Sequence, residues 1–380
     1  MGMSVKHHIY LVPGFFGFTN LGDLLYFGHV RDFLKAEFAR RGIEAEVVAI
    51  LSHPTASIRQ RAADLLKGVQ ETASADDGPL HLVGHSTGGL DARLFVNPGA
   101  SLREGLELEP YASRVRSVVT VSTPHAGTPL ASFFLGLFGQ QILKLLSLFT
   151  VYVLRFGRLP LTVAFRLGHL LSRADNQLGW KQTILDQLFD QLLGDFSADR
   201  REAVSRFLGD VGNDTSLIPQ LTPEGIDLFN AGCTDRPGVR YGSVVTQARP
   251  PSFRTRLSVG LDPYAQLTHT VYAFLYNQTH RLPLNQTPLH TAEQTAALIQ
   301  AFGALPAPQA CDGIVPTRSQ VHGRVIGAVR ADHLDAIGHF DQPTHQPPHV
   351  DWLISGSGFR RPQFEKLWKD VADFLLEEPR

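Results

Sequence analysis

The stretch Leu80-His81-Leu82-Val83-Gly84-His85-Ser86-Thr87-Gly88-Gly89-Leu90 decides how the rest of the chain is read. An apolar run ends in Gly-His-Ser-Thr-Gly, and Leu90 to Val96 can continue as a helix. This is G-x-S-x-G between a strand and a helix. So tight a turn strains the serine backbone and leaves no room for side chains beside it, hence Gly84 and Gly88. The Ser86 hydroxyl is lifted clear of the sheet edge. The Thr87 N–H, at the start of the helix, can face a developing negative oxygen. The same pattern also occurs by chance as a plain glycine-rich loop. The chain must therefore supply a base, an acid and a second N–H as well.

Working upstream, His8-Ile9-Tyr10-Leu11-Val12 reads as a buried strand that ends in Pro13-Gly14-Phe15-Phe16-Gly17. A glycine-bracketed loop after the first core strand can hold the second oxyanion donor, and Phe15 is the residue whose N–H we nominate. An apolar stripe through Val30, Leu34 and Phe38 predicts a helix stopped by Gly42. Glu46 to Leu51 is the next strand. Thr55 or Ser57 caps a helix carrying Ile58, Ala62, Leu65, Leu66 and Val69. Downstream, Val115 to Val121 and Val239 to Val245 are strands, Thr222-Pro223 opens a short helix, and Thr291 to Phe302 is another. Strand and helix alternate, which predicts a mostly parallel sheet covered by helices on both faces.

At 380 residues the chain can form one large domain with insertions. Charged residues are 19% of it, below the roughly 25% usual for soluble proteins, which points to a large core or an apolar working surface. The formal net charge of −1 argues against a nucleic-acid partner. No basic segment followed by an apolar one opens the sequence, so the expected location is cytoplasmic, or secreted with the signal absent. Oligomeric state cannot be read from the sequence.

From Leu130 to Leu171 the composition changes. Phenylalanine and leucine are dense, Lys144, Arg155, Arg158 and Arg166 are the only charges, and no clean run of about 20 apolar residues survives to span a membrane. We read residues 129–235 as a helical cap, or lid, over the C-terminal edge of the sheet. The aromatic stretch 249–290 is expected to be a second, irregular insertion near the mouth of the site. Phe16, His85, His125, Phe133, Phe134 and Leu137 are the candidates for contact with a substrate.

The acid and base come last in the chain. Cys311-Asp312-Gly313 places an aspartate at a strand end, and Ala331-Asp332-His333-Leu334-Asp335 follows the last strand, Val325 to Val329. Asp312 would orient His333, and His333 would deprotonate Ser86. Asp332 and Asp335 compete for the acid, His339 and, less well placed, His125 for the base.

These pieces together resemble a bacterial triacylglycerol lipase or esterase of the α/β-hydrolase superfamily. The matching segments are Pro13 to Gly17, Gly84 to Gly89, Ser122 to Gly127, Leu221 to Asn230, Asp312 to Val315 and Asp332 to Asp335. The resemblance implies an α/β-hydrolase fold, a triad of Ser86, Asp312 and His333, and an oxyanion hole from Phe15 and Thr87. It implies a serine carboxylic-ester hydrolase acting on hydrophobic acyl esters, at a lipid or polymer interface or free. Polyester hydrolysis and acyl transfer share this chemistry. A binding protein on the same fold, without turnover, is the alternative of another class. No cofactor is expected; a structural calcium at Asp335 is the one metal the resemblance allows, although His339 and Pro343 stand where further ligands would be. The resemblance also suggests a disulfide between Cys233 and Cys311. The run His339 to Asp351 is rich in histidine and carboxylate. A metal site is one reading; packing around the catalytic loop, forced by the prolines, is the default.

Overall fold

The computed structural model describes residues 5–15, 26–103, 105–156, 160, 162–163, 166, 182–281, 288–342, 344–346, 349–351 and 353–378. Its centre is a sheet of six strands: β1 (His7–Val12), β2 (Ala45–Ala49), β3 (Leu80–His85), β4 (Val115–Val121), β5 (Arg240–Thr246) and β6 (Arg324–Val329). They lie in the order β2-β1-β3-β4-β5-β6, and every neighbouring pair is parallel.

A parallel strand must be covered on both faces, and the central strands are apolar accordingly. Successive side chains enter opposite cores. Ile9, Leu11, Val83, Val119 and Val244 join the core on one face, with helices α1 (Gly28–Arg40) and the last helix, Arg361–Leu376. Tyr10, Val12, Leu80, Leu82 and Val118 join the other, with α2 (Ile58–Ala73) and α3 (Gly88–Val96). The end strands β2 and β6 are only partly buried.

Local signals end the helices where the sequence places them. Ser57 accepts the Gln60 N–H at 3.2 Å and caps α2. Thr222 accepts the Gly225 N–H at 3.1 Å and caps Pro223–Gly232. Thr291 and Gln294 form a capping box on Ala292–Phe302, which stops at Gly303 in the left-handed conformation.

Between β4 and β5 the chain leaves the sheet and builds helices. After the short α4 (Glu109–Ala112) these are α5 (Pro129–Phe134), α6 (Leu137–Phe156), α7 (Gln182–Gly194), α8 (Ala198–Asn213), α9 (Leu217–Gln220) and α10 (Pro223–Gly232). Helix α6 buries Ile142, Leu145, Leu146, Phe149 and Val151, packing against α5, α7 and α8. Among the described residues no helix is long and apolar enough to cross a membrane.

The stretch after β5 differs from its expected irregularity. It forms α11 (Phe253–Ser258), capped by Ser252, and the seventeen-residue α12 (Pro263–Thr279), capped by Asp262. Helix α12 is buried on nearly all sides, so no apolar stripe marks it in the sequence.

Candidate active site

The chain runs from β1 to the edge strand β2 and then crosses back to β3. Strand order reverses there, and open α/β sheets place ligands beyond the strand ends at such a point. Ser86 follows β3 directly with φ 54°, one of two described non-glycine residues at positive φ; the other, Ser122, follows β4. Its N–H donates to Val121 O at 2.8 Å, which fixes the turn to the neighbouring strand. A Cβ on Gly84 would lie 2.3 Å from Gly88 O, and one on Gly88 would lie 2.2 Å from Val12 O. A Cβ on Gly14 would lie 2.6 Å from that of Ser86. Backbone therefore reaches the serine from both strands, and only glycine permits it.

His333 and Asp312 are both buried and joined by a 2.8 Å hydrogen bond from Nδ1 to Oδ2. A carboxylate only accepts, so Nδ1 donates this bond, and the tautomer it selects is the one with the lone pair on Nε2. The His333 ring lies 4.7 Å from that of His85, the residue before the serine. Asp312 is saturated. Its Oδ1 accepts the N–H groups of Ile314 and Val315 at 2.9 and 2.7 Å. Its Oδ2 also accepts from the Thr246 hydroxyl at 2.9 Å and Gln320 Nε2 at 3.1 Å. Ser122 stands 2.8 Å from Thr246 and extends the chain of hydroxyls back to β4.

Two further buried groups hold the loops. His85 bonds the Tyr26 hydroxyl through Nδ1 at 2.5 Å and the His333 carbonyl through Nε2 at 2.8 Å. The carbonyl fixes Nε2 as donor, so Tyr26 donates to Nδ1. Burial, with His333 adjacent, drives His85 well below the ordinary imidazole range and keeps it neutral. The Tyr26 oxygen meets the Gly14 N–H as well. Arg61, fully buried, donates to Pro13 O at 2.5 Å, His53 O at 2.8 Å and Asp91 at 2.9 Å. One guanidinium thus ties the β1 loop, α2 and α3 together. Burial pushes Asp91 up to about 6 even with Arg61 beside it.

Ser86 opens into a small apolar pocket. Among the described residues its walls are Phe15, Pro124, Leu130, Ala131, Phe134, Ile218, Leu221, Ile314 and Val315, with only Ser86, Thr87 and Thr128 contributing hydroxyls. Among the described residues the buried Thr87 hydroxyl has no hydrogen-bond partner.

No protein-family model and no curated protein matches the chain. Solved structures do. EstA from Clostridium botulinum is 19% identical, with 98% of this chain and 88% of that one covered and a TM-score of 0.55. Staphylococcus hyicus lipase is 15% identical, with 97% and 95% covered and a TM-score of 0.53. Lipase 1 from Pelosinus fermentans is 18% identical, with 97% and 99% covered and a TM-score of 0.52. The chain has the α/β-hydrolase fold. Its structural likeness is to bacterial lipases and esterases.

The α/β-hydrolase scaffold brings Ser86, Thr87, Phe15 and Phe134 to one cavity. Other candidates lie elsewhere. His85 is engaged by Tyr26 and the His333 carbonyl and does not line the cavity. His125 is buried against Thr120, Arg93 and the ring of His322. Phe133 packs edge-on against Phe274 of α12, outside the cavity wall. Phe16 and the side chain of Leu137 lie outside the described residues. His339 bonds Tyr26 O at 3.1 Å, and Asp332 caps its own loop through the Leu334 and Asp335 N–H groups, so neither pairs with the other site residues.

Cys233 and Cys311 are both free, which corrects the expected disulfide. They are buried in different surroundings, Cys233 near Arg93 and Asp235, Cys311 against Tyr276 and Gly313. Asp335 accepts the Asp332 N–H at 2.9 Å and the Ser357 hydroxyl at 2.7 Å through one oxygen. It shares a cavity with Asp341 and Asp351, but also with Arg249 and Arg360. Among the described residues no three carboxylates converge to ligand distance.

Sequence reasoning missed Tyr26, Arg61, Thr246 and Gln320. Arg61 had a signal: a lone arginine among Ile58, Ala62, Leu65 and Leu66 sits within the apolar stripe and needs a buried partner.

Proposed function

We infer that this chain is a serine carboxylic-ester hydrolase that cleaves hydrophobic acyl esters through an acyl-enzyme. One observation carries the reading. A serine held at φ 54° opens into an almost wholly apolar cavity, while a buried His–Asp pair with the base tautomer stands beside the residue before it. Ser86 attacks the ester carbonyl, and Nε2 of His333 takes its proton. Asp312 holds the resulting imidazolium. The N–H groups of Phe15 and Thr87 receive the oxyanion, and the His333 proton then goes to the leaving alcohol. Water activated by His333 releases the acid. No metal is needed for any of these steps.

The apolar wall is the reason to assign a hydrophobic acyl group. Helices α5 and α9 supply Leu130, Ala131, Phe134 and Ile218 to it, which supports a cap role for residues 129–235. Contact of Phe274 with Phe133 supports the stretch 249–290 as a buttress behind that wall. Two of the solved neighbours are lipases, in agreement with an ester substrate here.

A fluorophosphonate tests the reading directly. It should label wild type at Ser86 and leave Ser86→Ala unlabelled. A p-nitrophenyl ester series then reads the acyl pocket, and triglyceride emulsion and polyester film separate the natural substrates. Absence of both labelling and ester turnover in folded protein would refute the enzyme reading.

A further inference from the structure

Away from Ser86, three histidines meet. His29 is the second residue of α1, and His345 and His349 come from the histidine-rich run after β6. The His349 N–H and the His345 N–H both donate to Gln342 O, at 3.2 and 3.4 Å, and this turn brings the two rings round to α1. One nitrogen from each of the three rings lies within 4.8 Å of the others. They line a pocket with Asp32 and Glu365 on its wall.

The tautomer of one ring is set. His349 is buried, and its Nδ1 lies 2.7 Å from Gly338 O. A carbonyl only accepts, so Nδ1 carries the proton and Nε2 is left as the lone-pair donor. A backbone carbonyl behind a histidine is the usual device for orienting a metal ligand. Three imidazoles with no thiolate suit a borderline divalent cation, Zn²⁺ above all. Calcium and magnesium would require oxygen donors.

We propose that His29, His345 and His349 form a three-histidine site for Zn²⁺, with the fourth position open to water. In a tetrahedral Zn site the nitrogens stand about 3.3 Å apart, so the rings must close by roughly 1.5 Å at most. The rings of His29 and His349 are stacked at 3.6 Å. Ligand lone pairs lie in the ring plane, so binding opens that stack. Asp32 and Glu365 offset the cation's charge from the wall, although Arg31 and Arg361 already pair with them at 3.1 and 2.5 Å. This is why water, rather than a carboxylate, completes the shell.

The site would clamp two parts of the α/β-hydrolase scaffold. Gly338 packs on His29 so closely that a Cβ there would lie 2.9 Å from that of His29. His339, next along, bonds Tyr26 O. Metal at this point ties α1 to the loop that leaves His333.

Chelator-treated full-length protein is titrated with Zn²⁺ by calorimetry in a non-coordinating buffer. Wild type should bind one equivalent at micromolar concentration or tighter and gain several degrees in Tm. His345→Ala, at a half-exposed position, and His29→Asn should each weaken binding by roughly a hundredfold or more while remaining folded by circular dichroism. His349→Ala also loses the bond to Gly338, so it is not the deciding variant. Co²⁺ should give the intense visible absorption of a four-coordinate site. Two outcomes overturn the proposal. One is a wild type that binds no stoichiometric Zn²⁺. The other is undiminished binding in both variants, which would move the metal elsewhere, with the stacked His7 and His81 the first place to look.

Discussion

Ser86 holds a backbone conformation that a side chain disfavours. Left-handed φ costs a non-glycine residue roughly 1–2 kcal/mol, and glycine would avoid that cost. Glycine also gives the unfolded chain more freedom, worth roughly 0.5–1 kcal/mol against it. The strain is the larger effect. Ser86→Gly should therefore be about 0.5–1 kcal/mol more stable than Ser86→Ala in urea denaturation, with both variants inactive on p-nitrophenyl esters. Equal stabilities would mean that the turn stores no strain. The same residue shows what could be read beforehand. Gly84, Gly88 and Gly14 are dictated by backbone approach, and that demand is written locally as glycine. The pairing of Asp312 with His333 is legible because residue type and chain order agree. Gln320 and Thr246 are not, since their part depends on meeting Asp312 from β5 and a distant turn. No local pattern encodes that meeting.

At the level of elements, Arg61 and α5 make opposite demands. Arg61 joins α2, α3 and the β1 loop from a fully buried position. Arg61→Ala would strand the Asp91 carboxylate and Pro13 O, and should destabilise the protein by about 3–5 kcal/mol. The denaturant midpoint checks this; a loss under about 1 kcal/mol would mean that water replaces the guanidinium. Helix α5 instead puts Phe134 on the cavity wall. Phe134→Asp should depress octanoate ester turnover more than acetate turnover. Each buried methylene of the acyl chain is worth about 0.8 kcal/mol, so the gap should widen by roughly three- to fourfold per carbon within the pocket. Equal losses on both esters would place the acyl pocket elsewhere. Elements with one wet face, such as α2, were legible from their stripe. Helix α12 was not, because burial on nearly all sides erases the periodicity.

For the molecule as a whole, one pair of buried acids adds an unusual component to the response to pH. Burial pushes Asp332 up to about 6, and burial with Asp332 nearby pushes Asp335 well above the carboxylate range. Unfolded, both would titrate near 3.9. Between those values the folded state binds more protons than the unfolded one, so ∂ΔG/∂pH is negative. The stability these groups give is fully present below about pH 4 and is lost as pH rises through about 6 and beyond. Buried neutral histidines such as His85 act in the opposite sense, so the test is a difference: from about pH 5 to about pH 8 the guanidinium midpoint of wild type should fall relative to that of Asp335→Asn. Parallel slopes would exclude the pair as its source.

Because every strand pairing is parallel, no two neighbours in the sheet can be joined by a tight hairpin. The bond from His85 to the His333 carbonyl spans 248 residues of sequence. Such a contact closes late, since the loop entropy is paid before the contact returns anything. The serine turn, α3 and the first three strands can organise early and still be inert. During refolding, far-ultraviolet circular dichroism should recover first, and fluorophosphonate reactivity should lag until β6 docks. Reactivity is then a clock for the last step of assembly, and a chain that stalls short of it would look nearly native to spectroscopy while still lacking the bond that seats His333 against His85.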